Sequence, residues 1–229
     1  MAESLEQAWE LNQKGRNNII IGGNLWLKMG RRNIINAIDL SSLGLDKIEE
    51  DEGGFRIGCM ATLHDIETHE GLNKEFQNLF KEAVRHIVGV QFRNCATIGG
   101  SIFPKLGFSD VLTAFLACDT QVILYKKGEV PLREFIYIPT DNDILTHLYV
   151  KKDGRKTAYE SFRMTETDFP TITCAMAKTQ DGFETVLGAR PKHAEVVVDE
   201  VVADAFSSEE VADYAKRVIG KLQYGSNIP

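Results

Sequence analysis

The sequence predicts an α+β protein of two domains. In residues 1–142 short apolar strands alternate with helices, whereas from residue 143 longer strands of antiparallel character follow one another before a final helix. The 229 residues are also long for a single domain. We therefore expect a first domain over 1–142, with subdomains of about 1–45 and 46–142, and a second, smaller α/β domain over 143–229.

The first elements predict a small βαβ unit. Ser4 and Gln7 have the spacing of a capping box, so a helix begins there and ends before Gly15. The run NNIII from Asn17 predicts a buried strand, NLWLKM a short helix that stops at Gly30, and NIINAIDL a second strand.

Mixed helix and strand continue to residue 142. Alternation around Gly53 and Gly54 predicts a hairpin, and LNKEFQNLFKEAVRHIV has the apolar spacing of one long helix. The segment DVLTAFLACD is apolar on nearly every side, which predicts a buried helix with an acidic N-cap at Asp110. A second hairpin turns at Lys127 and Gly128.

The pattern changes after the polar loop PTDNDI. The runs ILTHLYVKK, TITCAMAKT and FETVLGAR predict strands of the second domain, the last two joined by a turn at Asp181 and Gly182. A final helix begins at the capping box formed by Ser207 and Glu210.

Composition excludes several function classes. Hydrophobic residues make up 43% and charged residues 26%, and no apolar run approaches the roughly 20 residues of a membrane helix. The N-terminal stretch carries acids and lacks the apolar core of a signal peptide, so we expect a cytoplasmic protein without membrane contact. The net charge of -7 argues against binding nucleic acid.

No metal site is predicted. Cys59, Cys95, Cys118 and Cys174 lie at least 23 residues apart, without the paired spacing of zinc or iron-sulfur ligands, and we expect four buried, structural cysteines. His64 and His69 are five residues apart and would lie on different faces of a helix, which predicts surface positions.

Two strands end in paired glycines. Gly22 and Gly23 follow three isoleucines in NNIIIGGN, and Gly99 and Gly100 follow ATI. Backbone amides at such glycines can form an anion site that a pyrophosphate approaches closely. Neither pair belongs to a Rossmann or P-loop pattern. From the residues alone, a dinucleotide site and two structural turns both remain open.

The second pair lies in VGVQFRNCATIGGSIF, followed by Ser109 and Asp110. This string resembles the R-N-x-A-T-I-G-G-N signature with its later Ser-Asp in the FAD-binding medium subunits of molybdenum hydroxylases, of the xanthine dehydrogenase and carbon monoxide dehydrogenase type. IGGNLWLKM is similar to that family's first glycine motif, usually A-G-G-T-D-L, although Asn24, Leu25 and Trp26 replace Thr, Asp and Leu. GCMATLHDIE, YESFRMTETDFPTITCAMA and GARPKHAE extend the resemblance over nearly the whole chain.

The resemblance implies a two-lobed FAD-binding domain of the vanillyl-alcohol-oxidase-like, PCMH-type fold, followed by a C-terminal domain like that of carbon monoxide dehydrogenase flavoproteins. It implies that Asp110 accepts hydrogen bonds from sugar or ribityl hydroxyls, with Ser109 a further candidate, and that Arg163 is a candidate for the positively charged residue near the flavin ring. It assigns no catalytic residue to this chain. Backbone amides implied to grip the FAD pyrophosphate belong to Ile21, Gly22, Gly23, Asn24 and Leu25, and to Thr97, Ile98, Gly99, Gly100 and Ser101.

The resemblance also implies partners. In that family the flavin receives electrons from 2Fe-2S clusters on a small subunit, which draws them from a molybdopterin site on a large subunit, and it passes them to NAD or another acceptor. Two alternatives remain open at this stage. They are a stand-alone FAD-dependent reductase of the same fold and a non-catalytic assembly subunit that has lost its flavin.

Overall fold

The structure is a computed structural model that describes residues 1–139, 141–189, 194–199 and 207–222. Its helices are α1 (Leu5–Gln13), α2 (Leu63–Thr68), α3 (Glu70–Glu75), α4 (Leu79–Val84), α5 (Val90–Arg93), α6 (Ile98–Ile102), α7 (Asp110–Leu116), α8 (Leu132–Phe135) and α9 (Ser208–Gly220). Its strands are β1 (Asn18–Ile21), β2 (Asn36–Asp39), β3 (Ile48–Glu50), β4 (Gly54–Gly58), β5 (Thr120–Leu124), β6 (Gly128–Pro131), β7 (Leu145–Lys151), β8 (Lys156–Arg163), β9 (Pro170–Lys178), β10 (Phe183–Gly188) and β11 (Glu195–Asp199).

The N-terminal strands form the predicted parallel pair. β1 pairs with β2 in a register that aligns Asn18 with Asn36 and Ile21 with Asp39. The connection differs from the prediction, because NLWLKM forms only a 3-10 turn over Leu27–Met29 instead of a helix. Six residues between Gly23 and Gly30 are too few to offset the cost of nucleating an α-helix.

A five-stranded antiparallel sheet follows in the order β3-β4-β7-β5-β6. Both predicted hairpins, β3 with β4 and β5 with β6, are present. We predicted ILTHLYVKK as a strand of the second domain, yet β7 lies at the centre of this sheet between β4 and β5. Alternation identifies a strand but not its partner, which explains this error. The domain division at residues 142 and 143 stays a prediction.

The helix predicted from LNKEFQNLFKEAVRHIV is in fact two helices, α3 and α4. Gln77 and Asn78 separate them with left-handed backbone angles, φ 46° and 64°. The Gln77 side chain accepts a hydrogen bond from the amide of Thr157 at 2.7 Å. This contact with β8 is distant in sequence, so helical spacing alone could not reveal the break.

A four-stranded antiparallel sheet, in the order β11-β10-β9-β8, forms the C-terminal part. Helices α4 and α7 pack against one face of it, and Val186 on β10 belongs to the main core there. Leu187, the next residue, faces a smaller core with Tyr214 and Val218 of α9. The capping box of Ser207 and Glu210 begins α9 as predicted. Residues 190–193 of the segment GARPKHAE lie outside the described residues, and so do residues 224–229, YGSNIP.

Helix α7 is buried along its whole length, as predicted, but its N-cap is Ser109 and not Asp110. The Ser109 hydroxyl accepts a hydrogen bond from the amide of Leu112 at 3.1 Å. Asp110 is therefore the first residue of the helix, and its carboxylate is left for other contacts. The prediction chose the acid because Ser and Asp are both favoured N-caps.

Cysteine and histidine positions agree with the predictions only in part. Cys59 and Cys118 are buried and Cys174 is half-buried, whereas Cys95 is exposed, because it lies in the connection between α5 and α6. Burial raises the pKa of Cys59 to about 12 and that of Cys174 to about 11. His64 and His69 are half-buried and belong to different helices.

The described residues contain no group of three or more His, Cys, Asp or Glu side chains placed to hold a metal ion. Within the same ranges, every helix is too short or too polar to cross a bilayer.

Candidate functional site

The two glycine motifs contact each other directly. A Cβ atom on Gly23 would overlap the carbonyl group of Cys95, and one on Gly22 would overlap the hydroxyl of Thr97. The segment after β1 therefore crosses the segment before α6 at backbone contact distance. Only glycine permits this approach, so the first pair has a structural role whatever it binds.

The second motif is a helix and not a turn. Thr97 caps α6, and its hydroxyl accepts from the amide of Gly100 at 3.2 Å. The amide of Ile98 donates to Ala61, that of Gly99 to Cys59 at 2.7 Å, and that of Ser101 to Thr97. These amides are already paired within the chain, and the motif contacts the first one through Thr97.

The first motif is the one with free donors. Within the described residues, the amides of Gly23, Asn24 and Leu25, which lie outside any helix or strand, donate no hydrogen bond to another residue. Asn24 has a left-handed backbone, φ 55°, which turns the chain sharply here. Successive unpaired amides at such a turn form a concave anion site. Ile21, the remaining predicted residue, ends β1 opposite Asp39.

Ser109 and Asp110 lie next to the second motif. The Ser109 hydroxyl donates to the carbonyl of Ser101 at 3.3 Å. Asp110 is 5% exposed, and its Oδ1 accepts from the Tyr159 hydroxyl at 2.5 Å and from Nη2 of Arg163. Burial raises the pKa of Asp110, opposed by the hydrogen bonds from Arg163 and Tyr159, which favour the charged form.

Tyr159 was missed by the sequence analysis. Tyr159, Ser161 and Arg163 are spaced two residues apart along β8, so all three side chains face the same side, and this spacing was the signal that the sequence offered. Burial and the nearby Asp110 carboxylate raise the pKa of Tyr159, so its hydroxyl is a donor at neutral pH.

Three aromatic rings close another side of the site. Trp26 lies 5.3 Å from Phe169 and 6.0 Å from Phe108, and the two phenylalanines are 5.0 Å apart. Trp26 is 47% exposed and Phe169 54%. The first glycine segment, the residues before α7 and the β8–β9 connection therefore meet at this cluster. Trp26, Phe108 and Phe169 are far apart in the sequence, so no local pattern predicts that they form a cluster.

These features fit a flavin dinucleotide. The free amides from Gly23 to Leu25 suit a pyrophosphate. Oδ2 of the buried Asp110 accepts no hydrogen bond from another described residue, and a buried carboxylate oxygen normally has a donor. A ligand hydroxyl would supply it. Exposed aromatic rings suit a planar ring system.

A family model described as the FAD-binding domain in molybdopterin dehydrogenase matches residues 1–150. The chain belongs to this family. The match includes both glycine motifs and Asp110. The resemblance inferred from RNCATIGGS is thus confirmed, as are the mixed α and β fold and FAD as the cofactor.

Relatives of this FAD-binding family extend the match to nearly the whole chain. The glyceraldehyde dehydrogenase medium chain of Sulfolobus acidocaldarius is 25% identical over 243 residues, covering 96% of this chain and 86% of that protein. The uncharacterized protein YgfM of Escherichia coli K12 is 26% identical over 189 residues, covering 81% and 71%. Carbon monoxide dehydrogenase of Hydrogenophaga pseudoflava superposes with a TM-score of 0.84 at 21% identity, covering 99% of this chain and 87% of its own.

These comparisons identify the chain as an FAD-dependent oxidoreductase subunit of the molybdenum hydroxylase type. They do not address single residues. The assignment of Ile21 to Leu25, Thr97 to Ser101, Ser109 and Asp110 to FAD binding stays a prediction.

Proposed function

We propose that this chain holds FAD as the electron-transferring subunit of a molybdopterin-dependent hydroxylase or dehydrogenase. One observation carries the proposal: in the part of the chain that the structure describes, the successive amides of Gly23, Asn24 and Leu25 donate to no other residue, and Oδ2 of the buried Asp110 accepts from no other residue. Phosphate groups need the first feature and sugar hydroxyls the second, and FAD contains both.

The chain's residues divide the work. The amides from Gly22 to Leu25 would bind the pyrophosphate, and Asp110 would accept from a hydroxyl. The second motif, from Thr97 to Ser101, would hold the first in place through the contacts of Gly22 and Gly23. When bound, FAD supplies the ability to accept and release electrons singly or in pairs, and the protein binds and orients it.

Partner subunits complete the proposed complex. The names of two relatives, a medium chain and the FAD-binding subunit PaoB of Escherichia coli K12, which is 37% identical over 71 residues, support assembly with other chains. We propose a small 2Fe-2S subunit as the electron donor to this chain and a large molybdopterin subunit as the site of substrate oxidation. NAD is one proposed acceptor, and the cytoplasm the proposed location.

Co-purification from the native host tests this proposal. We expect a yellow complex with one FAD per copy of this chain, one cysteine-rich small chain and one large chain. The isolated chain should not oxidise a purine or an aldehyde. Turnover by the isolated chain would instead favour the stand-alone reductase, and a complex that stays without a flavin spectrum after incubation with FAD would favour the assembly subunit.

A further inference from the structure

Asp110 is held by two side chains of β8. Tyr159 and Arg163 both project from β8 and both donate to the same oxygen, Oδ1. The side chains of Asp110 and Arg163 are only 6% and 7% exposed. Two donors on one oxygen restrict the rotation of the carboxylate, and within the described residues Oδ2 has no donor from another residue.

The guanidinium of Arg163 is itself fixed at two further points. Nη1 donates to the carbonyl of Asp168 at 2.6 Å, and Nε lies 3.3 Å from the Ser161 hydroxyl. A planar guanidinium held at three points has little freedom to rotate. It also ties Asp110 to the β8–β9 connection, where Phe169 joins the aromatic cluster.

Removing either donor has a specific consequence for the carboxylate. Without Arg163, the buried Asp110 would lack a counter-charge, and burying an unpaired charge is costly. Without the Tyr159 hydroxyl, Oδ1 would lose one of its two donors and the carboxylate could turn. In both cases Oδ2 would no longer be presented in a single orientation as an acceptor.

We propose that Tyr159 and Arg163 are positioning residues, which orient the Asp110 carboxylate so that Oδ2 accepts a hydrogen bond from a hydroxyl group of the bound flavin nucleotide. This inference rests on the proposed function. It deepens that function by naming the residues through which the C-terminal sheet contributes to cofactor binding, without placing either in contact with the flavin.

A double-mutant cycle with FAD as the probe tests the proposal. Tyr159→Phe should weaken FAD binding about tenfold and Asp110→Asn at least as much, the range for hydrogen bonds to charged groups. In the Asp110→Asn background, Tyr159→Phe should have little further effect on the Kd, because the group that it orients is gone. Arg163→Met should weaken binding more than Arg163→Lys, which retains the charge.

Tyr149→Phe is the matched control. Tyr149 also donates to an aspartate, Asp51, at 2.9 Å, but this pair is exposed and lies at the β3–β4 turn. Loss of the Tyr149 hydroxyl should leave the Kd for FAD unchanged. The absorption spectrum of the bound flavin should shift in Tyr159→Phe and stay constant in Tyr149→Phe.

The possible outcomes separate the two proposals. If the parent chain binds FAD and Tyr159→Phe weakens binding equally with and without Asp110→Asn, Tyr159 does not act through Asp110 and this inference is wrong. The same holds if both β8 variants change only the unfolding midpoint. If Tyr159→Phe fails to fold, the same double-mutant cycle with Arg163→Lys and Asp110→Asn tests the inference. A parent complex without FAD would overturn the proposed function itself.

Discussion

At the scale of single residues, the two glycine pairs do different work. Gly22 and Gly23 permit a backbone crossing and are followed by free amides, whereas Gly99 packs against Cys59, where a Cβ would lie 2.9 Å from the carbonyl oxygen. Similar sequence at the two sites therefore conceals two roles. The structural and binding interpretations are not exclusive, because the segment that crosses at Cys95 and Thr97 also carries the free amides.

Gly23→Ala should lower the free energy of unfolding by about 1–3 kcal/mol, the usual cost of overpacking, and should weaken FAD binding. The reason is the overlap of the new methyl group with the carbonyl of Cys95. Urea titration and FAD titration measure the two effects. Gly15→Ala is the control, since no atom lies within 4 Å of its added Cβ. Equal stability of the two variants would contradict the crossing.

At the scale of elements, a buried ion pair places the second glycine motif. Arg93 of α5 donates from Nε and Nη2 to the Glu67 carboxylate of α2 at 2.7 Å and 2.9 Å. Arg93 stands two residues before Cys95, whose backbone meets Gly23. The pair thereby fixes the position of the crossing relative to the helices.

The Glu67–Arg93 pair should make stability depend on pH in the acid range. Burial raises the pKa of Glu67, but the hydrogen bonds from Arg93 and His64 and the charge of Arg93 outweigh this and hold it below 4.5. A depressed folded-state pKa means stability that is present above about pH 4.5 and is lost as pH falls through the folded value. Urea unfolding between pH 3 and 7 measures it.

Glu67→Gln should therefore cost about 2 kcal/mol at pH 7, and the difference from the parent should shrink below pH 4.5. Glu82→Gln removes an exposed pair with Arg85 and should cost less than about 0.5 kcal/mol. A difference that stays constant from pH 3 to 7 would show that the charge of Glu67 is not what stabilises this region.

At the scale of the whole molecule, the two antiparallel sheets share a core and a buried charge cluster. Tyr159, Ala175 and Val186 of the C-terminal sheet pack in the same core as Phe55 and Leu148. Glu184 on β10 pairs with Arg133 of α8 and with Arg155, which also donates to the carbonyl of Ala117 at 2.5 Å. These contacts hold the C-terminal sheet, which carries Tyr159 and Arg163, against the rest of the described chain.

Glu184→Ala should lower the free energy of unfolding by about 3 kcal/mol, because it leaves Arg155 buried with one carboxylate partner fewer. Asp119→Ala, which removes an exposed pair with Lys151, should cost less than about 1 kcal/mol. Urea unfolding, monitored by circular dichroism, measures both free-energy differences. Similar losses for the two variants would argue against the cluster as a link between the sheets.

The sequence by itself determined the α+β class, the family and most elements. Strand alternation, the two hairpin turns and the capping box of Ser207 and Glu210 depend on neighbours along the chain, so local patterns report them. The string RNCATIGGS with Asp110 pointed to FAD because it combines many positions in a fixed order. The resemblance also predicts that the residues that bind FAD lie in two glycine motifs.

Tertiary structure decided what required contacts between distant segments. Pairing with β4 places β7 in the five-stranded sheet. The hydrogen bond from Thr157 to Gln77 holds the break between α3 and α4, and the backbone crossing at Cys95 explains why residue 23 is glycine. Tyr159 and Arg163 reach Asp110 from 49 and 53 residues away. Periodicity describes which face a side chain takes but not what lies opposite, and only the folded chain shows which amides and which carboxylate oxygen are left for a ligand.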